Sequence, residues 1–291
     1  MLTKDIEKKI VQFVYKQPRT VQEIAKSIGK NWRTADAYVE KIIKESGSLA
    51  VRTFRSGTRG ALKIVYWNNV DRVNATEFQE RLFKLIENGR KKHDFSPFDI
   101  YNYVAEDKRS ARCGSYTVSN ELFNQDLVSF LRSAKKSLLI YTGNSSFVDL
   151  QENGTGILSV IQGLAERGVD IRVLSRVDFS SVKNLQKLLG VNYGLGKEVI
   201  DVRHCEQPLR GFLIDDTALR LKEDFDPAMY AQGELAPDTR VVLYDIRDPE
   251  WVRWARDVFF ALFRTSVSGK KRIEDLRSIR RQEVQAVLRS S

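Results

Sequence analysis

The apolar positions of the first seventy residues follow two periods in succession. After Thr3, a residue type suited to an N-cap, Ile6, Ile10, Phe13 and Val14 recur at helical spacing until Pro18. Thr20 is placed to cap a second helix over 21–28, with Ile24, Ala25 and Ile28 on one face, and Gly29 supplies a tight turn. Asn31 then caps a third helix over 32–45, whose inward stripe is Ala35, Tyr38, Val39, Ile42 and Ile43. Beyond Gly47 the helical period stops, and extended apolar runs at 49–54 and 62–67 flank a polar turn at 55–60. Three short helices and a basic hairpin predict a winged helix-turn-helix over residues 1–70.

The rest of the chain reads as α/β. Phe78, Leu82, Phe83, Leu85 and Ile86 predict one amphipathic helix ending near Gly89, within a helical connector over 71–119. The aromatic stretch 94–104 is expected to pack on a core, and 108–115 to form a surface loop. From 120 to 267, helices at 122–134, 156–167 and 181–189 alternate with strands at 137–142, 170–175, 198–203, 211–214, 218–222 and 240–246. That alternation predicts a parallel or mixed sheet covered by helices. Asp248 and Pro249 open a core helix over 248–263, and a charged helix over 273–288, in a C-terminal segment 268–291, reads as a dimer arm before an extra DNA contact or a solvated tail.

Charge sharpens the first domain. The chain of 291 residues carries a net +10, and fourteen Lys and Arg against six Asp and Glu fall within residues 1–70. A polyanionic partner is therefore expected, with double-stranded DNA the natural candidate. Two cysteines, Cys113 and Cys205, and two histidines exclude a disulfide framework and a Cys/His zinc site, so neither metal nor cofactor is expected. Met1 leads into charged residues and no apolar run reaches about 18 residues, so a cytoplasmic protein without membrane contact is expected.

In a winged helix the third helix enters the major groove. The candidate readers are thus Lys30, Asn31, Trp32, Arg33, Thr34 and Asp36, with Arg52, Arg55, Arg59 and Lys63 on the wing meeting phosphates or the minor groove. Arg33 has the fork that grips a guanine edge; Asn31 either pairs with adenine or caps its helix. Trp32 fits packing and DNA contact equally, and the whole unit also fits a protein-interaction module.

The strand at 138–141, the run 169–174, the stretch 203–216 and the Trp-rich closing helix together resemble one half of a phospholipase-D-like fold, over about residues 120–265. Joined to the winged helix, the chain resembles archaeal transcriptional regulators of the TrmB-like type. The resemblance implies a dimer, because such halves pair. It also raises the alternative of a phosphodiesterase or nuclease, whose chemistry needs His-x-Lys-x4-Asp, with His as nucleophile and Lys on the phosphate. Arg210 and Phe212 are read as standing where His and Lys would be, His204 is followed by Glu206, and Asp215 and Asp216 read as turn formers, so no enzyme is expected. The emptied site is expected to take a small anionic effector through Thr142, Asn144, Ser145, Ser146 and Thr155 in loops at the sheet's C-terminal edge, with Arg203 and Arg210 adding charge. The same loops also read as ordinary strand-to-helix connections. A protein coating DNA without sequence preference is the remaining alternative.

Overall fold

The computed structural model describes residues 2–46, 48–55, 61–67, 75–115, 126–225 and 240–290. The winged helix is present as expected. Helix α1 (Lys4–Lys16) is capped by Thr3, whose hydroxyl accepts from the Ile6 amide. Strand β1 (Arg19–Thr20) leads into α2 (Val21–Ile28), where Thr20 and Glu23 form a reciprocal capping box. Gly29 closes α2 with φ 64°, a left-handed conformation that favours glycine. Helix α3 (Trp32–Ser46) follows, and β2 (Leu49–Arg55) pairs antiparallel with β3 (Ala61–Trp67) in a small sheet ordered β1-β3-β2. The hairpin turn at 56–60 lies outside the described residues.

The period of two in that hairpin decides how the molecule is assembled. Its odd positions, Leu49 and Val65, join Ile10, Ile24, Val39 and Ile42 in the winged-helix core. The even positions, Phe54, Leu62 and Ile64, enter a second core with Phe98, Tyr101 and Tyr244 of the larger body. Phe54 meets Phe98 edge-on at 6.2 Å and Tyr244 at 6.3 Å. The wing is therefore a wall shared by two cores.

The segment expected as a connector is built into the larger body. Helix α4 (Ala75–Asn88) and helix α5 (Phe98–Tyr103) pack into the shared core. Residues expected as a surface loop form strand β4 (Arg109–Ser115), an edge strand paired with β12 (Arg240–Ile246) over its whole length. After α6 (Leu127–Arg132) come β5 (Ser137–Tyr141), a two-stranded ribbon of β6 (Gln151–Glu152) and β7 (Thr155–Gly156), α7 (Ile157–Glu166) and β8 (Asp170–Ser175). The expected start of α6 at residue 122 lies outside the described residues. Helix α8 (Val182–Leu195) runs six residues past its expected end, to the left-handed Gly196. Strand β9 (Ile200–His204) and the hairpin of β10 (Gly211–Ile214) and β11 (Ala218–Phe225) complete the approach to β12. Helix α9 (Pro249–Thr265) is capped by Asp248 as expected, and β13 (Val267–Ser268) precedes α10 (Gly269–Ser290).

These strands form one eight-stranded mixed sheet, ordered β13-β9-β8-β5-β10-β11-β12-β4. Only β5, β8 and β9 run parallel among its pairs. Helices cover both faces, and β5 shows why: Leu139 and Tyr141 point to the α9 side, while Leu138 and Ile140 point to the side of α6, α7 and α8. No helix among the described residues is long and apolar enough to cross a membrane.

Candidate nucleic-acid interface and cationic cavity

The first candidate surface is the outer side of α3. Ala35, Val39 and Ile42 are completely buried, so helical geometry turns Arg33, Ala37, Lys41 and Lys44 outward; all four are exposed, as is Lys30 in the turn before the helix. Asn31 is committed as the N-cap, its side-chain oxygen accepting from the Thr34 amide at 2.8 Å. That uses one of the two lone pairs of the oxygen and fixes the direction of the amide. Trp32 is half-buried against the winged-helix core, and the Arg33 guanidinium lies 5.6 Å over its ring. Thr34 is half-buried behind them.

The wing residues separate by strand face. Arg52 shares the even face of β2 with Phe54, and its guanidinium sits 5.0 Å over the Tyr101 ring, inside the junction with the larger body. Lys63 shares the odd face of β3, where its ammonium meets Asp36 of α3 at 2.7 Å and Glu40 at 3.7 Å. Both side chains therefore have partners within the chain, Arg52 at the junction and Lys63 on α3. Asp36 is the partner of Lys63. Arg59 and the Arg55 side chain lie outside the described residues.

The second candidate is a cavity of about 660 Å³ where the C-terminal ends of parallel β5 and β8 meet the β10–β11 hairpin. Thr142, Asn144, Ser146 and Arg210 line it, as expected. Lys91, Lys92, Arg176 and Lys222 add cations, and Asp224 is the only carboxylate among the lining residues. Arg220 also reaches the wall, but it is neutralised by a clamp: it binds Asp126 at 2.7 Å and 3.1 Å and Asp245 at 2.5 Å and 3.1 Å.

Arg210 is a half-buried cation of the cavity. Its Nη1 donates to the carbonyls of Gln207 and Leu209 at 2.9 Å and 2.6 Å, and its guanidinium lies against Gly143 so closely that a Cβ there would sit 2.8 Å from Nη2. Burial and the neighbouring Arg176 pull its pKa down to about 10. Burial would raise Asp224, but the ammonium groups of Lys222 and Lys92, each 2.9 Å away, hold it below the usual carboxylate value. The arrangement is a net-cationic hollow with partly apolar walls from Tyr141, Phe147 and Leu150.

Three expected ligand residues are elsewhere. Ser145 is completely buried and satisfied by Thr142 and Ser175. Thr155 belongs to the β6–β7 ribbon, because β5 is followed by a four-residue 3-10 turn, Ser146–Asp149, instead of a long helix. Arg203 stacks 4.4 Å over Phe263 and donates to its carbonyl, in a separate hollow at the β9 edge.

Asp215 and Asp216 occupy the β10–β11 turn with φ of 50° and 57°. The Asp215 carboxylate accepts from the amides of Lys135, Lys136 and Ser137, fastening the start of β5, and Asp216 pairs with Arg256 at 2.6 Å. Counted back from Asp215, His-x-Lys-x4-Asp falls on Pro208 and Arg210, which corrects the placement at Arg210 and Phe212. Phe212 lies two residues along the strand from Arg210, on the same face, and lines the cavity edge-on against Phe147 at 5.7 Å. His204 accepts the Val177 amide on Nδ1 at 2.9 Å. Burial, with Arg272 nearby, lowers its pKa below the usual value. Among the described residues no group of three or more His, Cys, Asp and Glu is placed to hold a metal ion.

No protein-family model and no curated protein matches the chain. Solved structures do. The phospholipase D family member Nuc from Salmonella typhimurium is similar over 55% of this chain and 98% of its own, at 13% identity and a TM-score of 0.38. NucT from Helicobacter pylori is similar over 55% of this chain and 99% of its own, at 16% identity and a TM-score of 0.38. TrmBL2, whose structure is described as that of an archaeal chromatin protein with a novel mode of DNA binding, is similar over 91% of this chain and 94% of its own, at 14% identity and a TM-score of 0.39. Likenesses of this size leave function to the chemistry of the sites themselves.

The cations missed in the sequence come from three separate segments. Lys91 and Lys92 follow α4, Arg176 follows β8 as Gly143 follows β5, and Lys222 lies one strand from Arg210. Arg176 had a readable signal, because it ends the parallel strand next to β5. The others are brought in by the hairpin and by the turn after α4.

Proposed function

We propose that the chain is a homodimeric DNA-binding regulator of transcription, with α3 reading the major groove and the larger body pairing the protomers and sensing a small anion. The observation that carries this reading is the outward side of α3, where Arg33 stands exposed on the first turn and Lys30 stands exposed in the turn before it, opposite the fully buried Ala35, Val39 and Ile42. Its basic side chains supply salt-dependent attraction to phosphates, and Arg33 supplies base discrimination. A two-fold dimer presents two such helices to two half-sites.

The cavity acts as a receptor in this reading. Pro208 offers no nucleophile at the position where the phospholipase-D-type histidine would stand, and His204 Nδ1 is occupied by a backbone amide. Selection of bound sequences from random duplex DNA tests the function. The reading expects an enriched two-fold motif in the wild type, degraded at specific positions by Arg33→Ala, and a dimer by sedimentation. Salt-sensitive binding without a motif, or no binding at all, overturns it.

A further inference from the structure

The cavity and the winged helix share one wall, the turn 90–96 between α4 and α5. On one side Lys91, Lys92 and His93 line the cavity. On the other the same turn borders a smaller hollow formed with Gln17, Arg19 and Glu23 of the winged helix. Gln17 donates from its side-chain amide to the His93 carbonyl at 3.3 Å. The turn is stiff, because the Asp94 carboxylate accepts from the amides of Arg90 and Lys91 at 2.8 Å each. Those backbone bonds hold Asp94 below its usual pKa. Its downstream end is fixed by Ser96, which is buried and donates to Glu223 at 2.7 Å.

Lys92 is the movable part. Its ammonium is held by Asp224, which Lys222 also holds from the cavity floor. An anion entering beside Arg210 competes with Asp224 for both ammonium groups. Arg210 itself gains most, being a half-buried cation whose Nη1 has only neutral carbonyls as partners, with a second guanidinium close by. A hollow of about 660 Å³ lined both by cations and by Tyr141, Phe147 and Leu150 fits an anion carrying a planar or apolar body.

We propose that a phosphate ester of this kind occupies the cavity, takes Lys92 from Asp224, and through the stiff turn 90–96 shifts the winged helix and its DNA affinity. This rests on the regulator reading above and adds its ligand class and its route of control. A ligand moves such an equilibrium only by binding two arrangements unequally, and here the two differ in whether Lys92 faces Asp224 or the ligand.

The experiment uses the full chain with adenosine 5′-monophosphate and, separately, inorganic phosphate, at constant ionic strength. Calorimetry reads ligand binding, and fluorescence anisotropy reads affinity for a duplex the protein selects. The wild type is expected to bind the nucleotide and to change its DNA affinity roughly five-fold or more when saturated, with DNA changing nucleotide affinity by the same factor. Arg210→Ala is expected to lose nucleotide binding and the change together while keeping its unliganded DNA affinity. Gln17→Ala is expected to bind both ligands but lose most of the reciprocal factor, which a merely structural role would not do. Nucleotide binding with no change in DNA affinity overturns the coupling and leaves the cavity reading standing. Failure of both phosphate compounds to bind overturns the ligand assignment itself, whatever DNA binding shows. Persistence of the full factor in Gln17→Ala overturns the route.

Discussion

The molecule has two basic regions that use the same side chains differently. On α3 the cations stand on a convex, exposed face whose inner side is a complete hydrophobic core. In the cavity they stand on a concave wall, with Lys92 and Lys222 held by Asp224 and Arg210 lodged among carbonyl oxygens. An exposed row suits a long polyanion, whose phosphates arrive with their own counterions to release. A half-buried cluster suits one small anion, which must replace internal partners to bind. Net charge alone makes no such distinction.

The difference predicts that cavity cations belong to the fold and α3 cations do not. The largest expected effect is from Arg220→Ala. Arg220 is almost fully buried between Asp126 and Asp245, and removing it leaves both carboxylates to Arg112 alone, at 3.1 Å and 3.2 Å, so urea denaturation should show a loss of about 3 kcal/mol, the low end for a broken buried pair. A loss below about 1 kcal/mol would mean that this clamp is as dispensable as a surface pair.

Next is Arg33→Ala, expected to cost about 1–3 kcal/mol at the base pair it reads while leaving stability within about 0.5 kcal/mol. Competition binding against single-base variants and a thermal melt check both halves.

A third effect is in the junction between the regions. Burial raises Glu223 from 4.5 to about 7 and Asp99 from 3.8 to about 7. Because the folded pKa values lie above the unfolded ones, the folded state holds these protons longer, and stability should fall as pH rises from about 4 to 7. Glu223→Gln should flatten that fall in denaturation curves collected across the window. His204 acts in the opposite sense: its folded pKa is lowered, so its contribution disappears as pH drops below the ordinary 6.5. An unchanged slope in Glu223→Gln would remove Glu223 from the account.

The smallest effect is from Lys63→Ala. Because Asp36 and Glu40 already hold that ammonium, DNA affinity should change by less than about 0.5 kcal/mol, well short of Arg33→Ala. An effect equal to that of Arg33→Ala would place the wing strand in the interface.

The winged helix was legible because its signals are local. Thr3, Thr20 and Asn31 cap the three helices at the residues the pattern names, and Arg240–Ile246 is the strand the pattern names, end to end. Strand β4 was not legible, since Arg109–Ser115 is a small and polar run that becomes a strand through its register with β12. The faces of Arg52 and Lys63 were available from the alternation of the hairpin, but assigning them needed the fact that both faces of the wing are covered. Thr142, Asn144, Ser146 and Arg210 were found because strand ends and a motif point to them. Lys91, Lys92 and Lys222 were missed because only the folded turn and hairpin bring them to the same hollow.

The two regions part most sharply over DNA, which is expected on the outer face of α3 and not in the cavity. The most direct test of that expectation is the salt dependence of affinity for one selected duplex, compared between Lys30→Ala/Arg33→Ala and Arg176→Ala/Arg210→Ala. The α3 pair should bind at least about ten-fold more weakly, with the slope of log affinity against log salt reduced by about two, while the cavity pair keeps the wild-type line. The reverse result, a full loss in the cavity pair with the α3 pair unchanged, would contradict it.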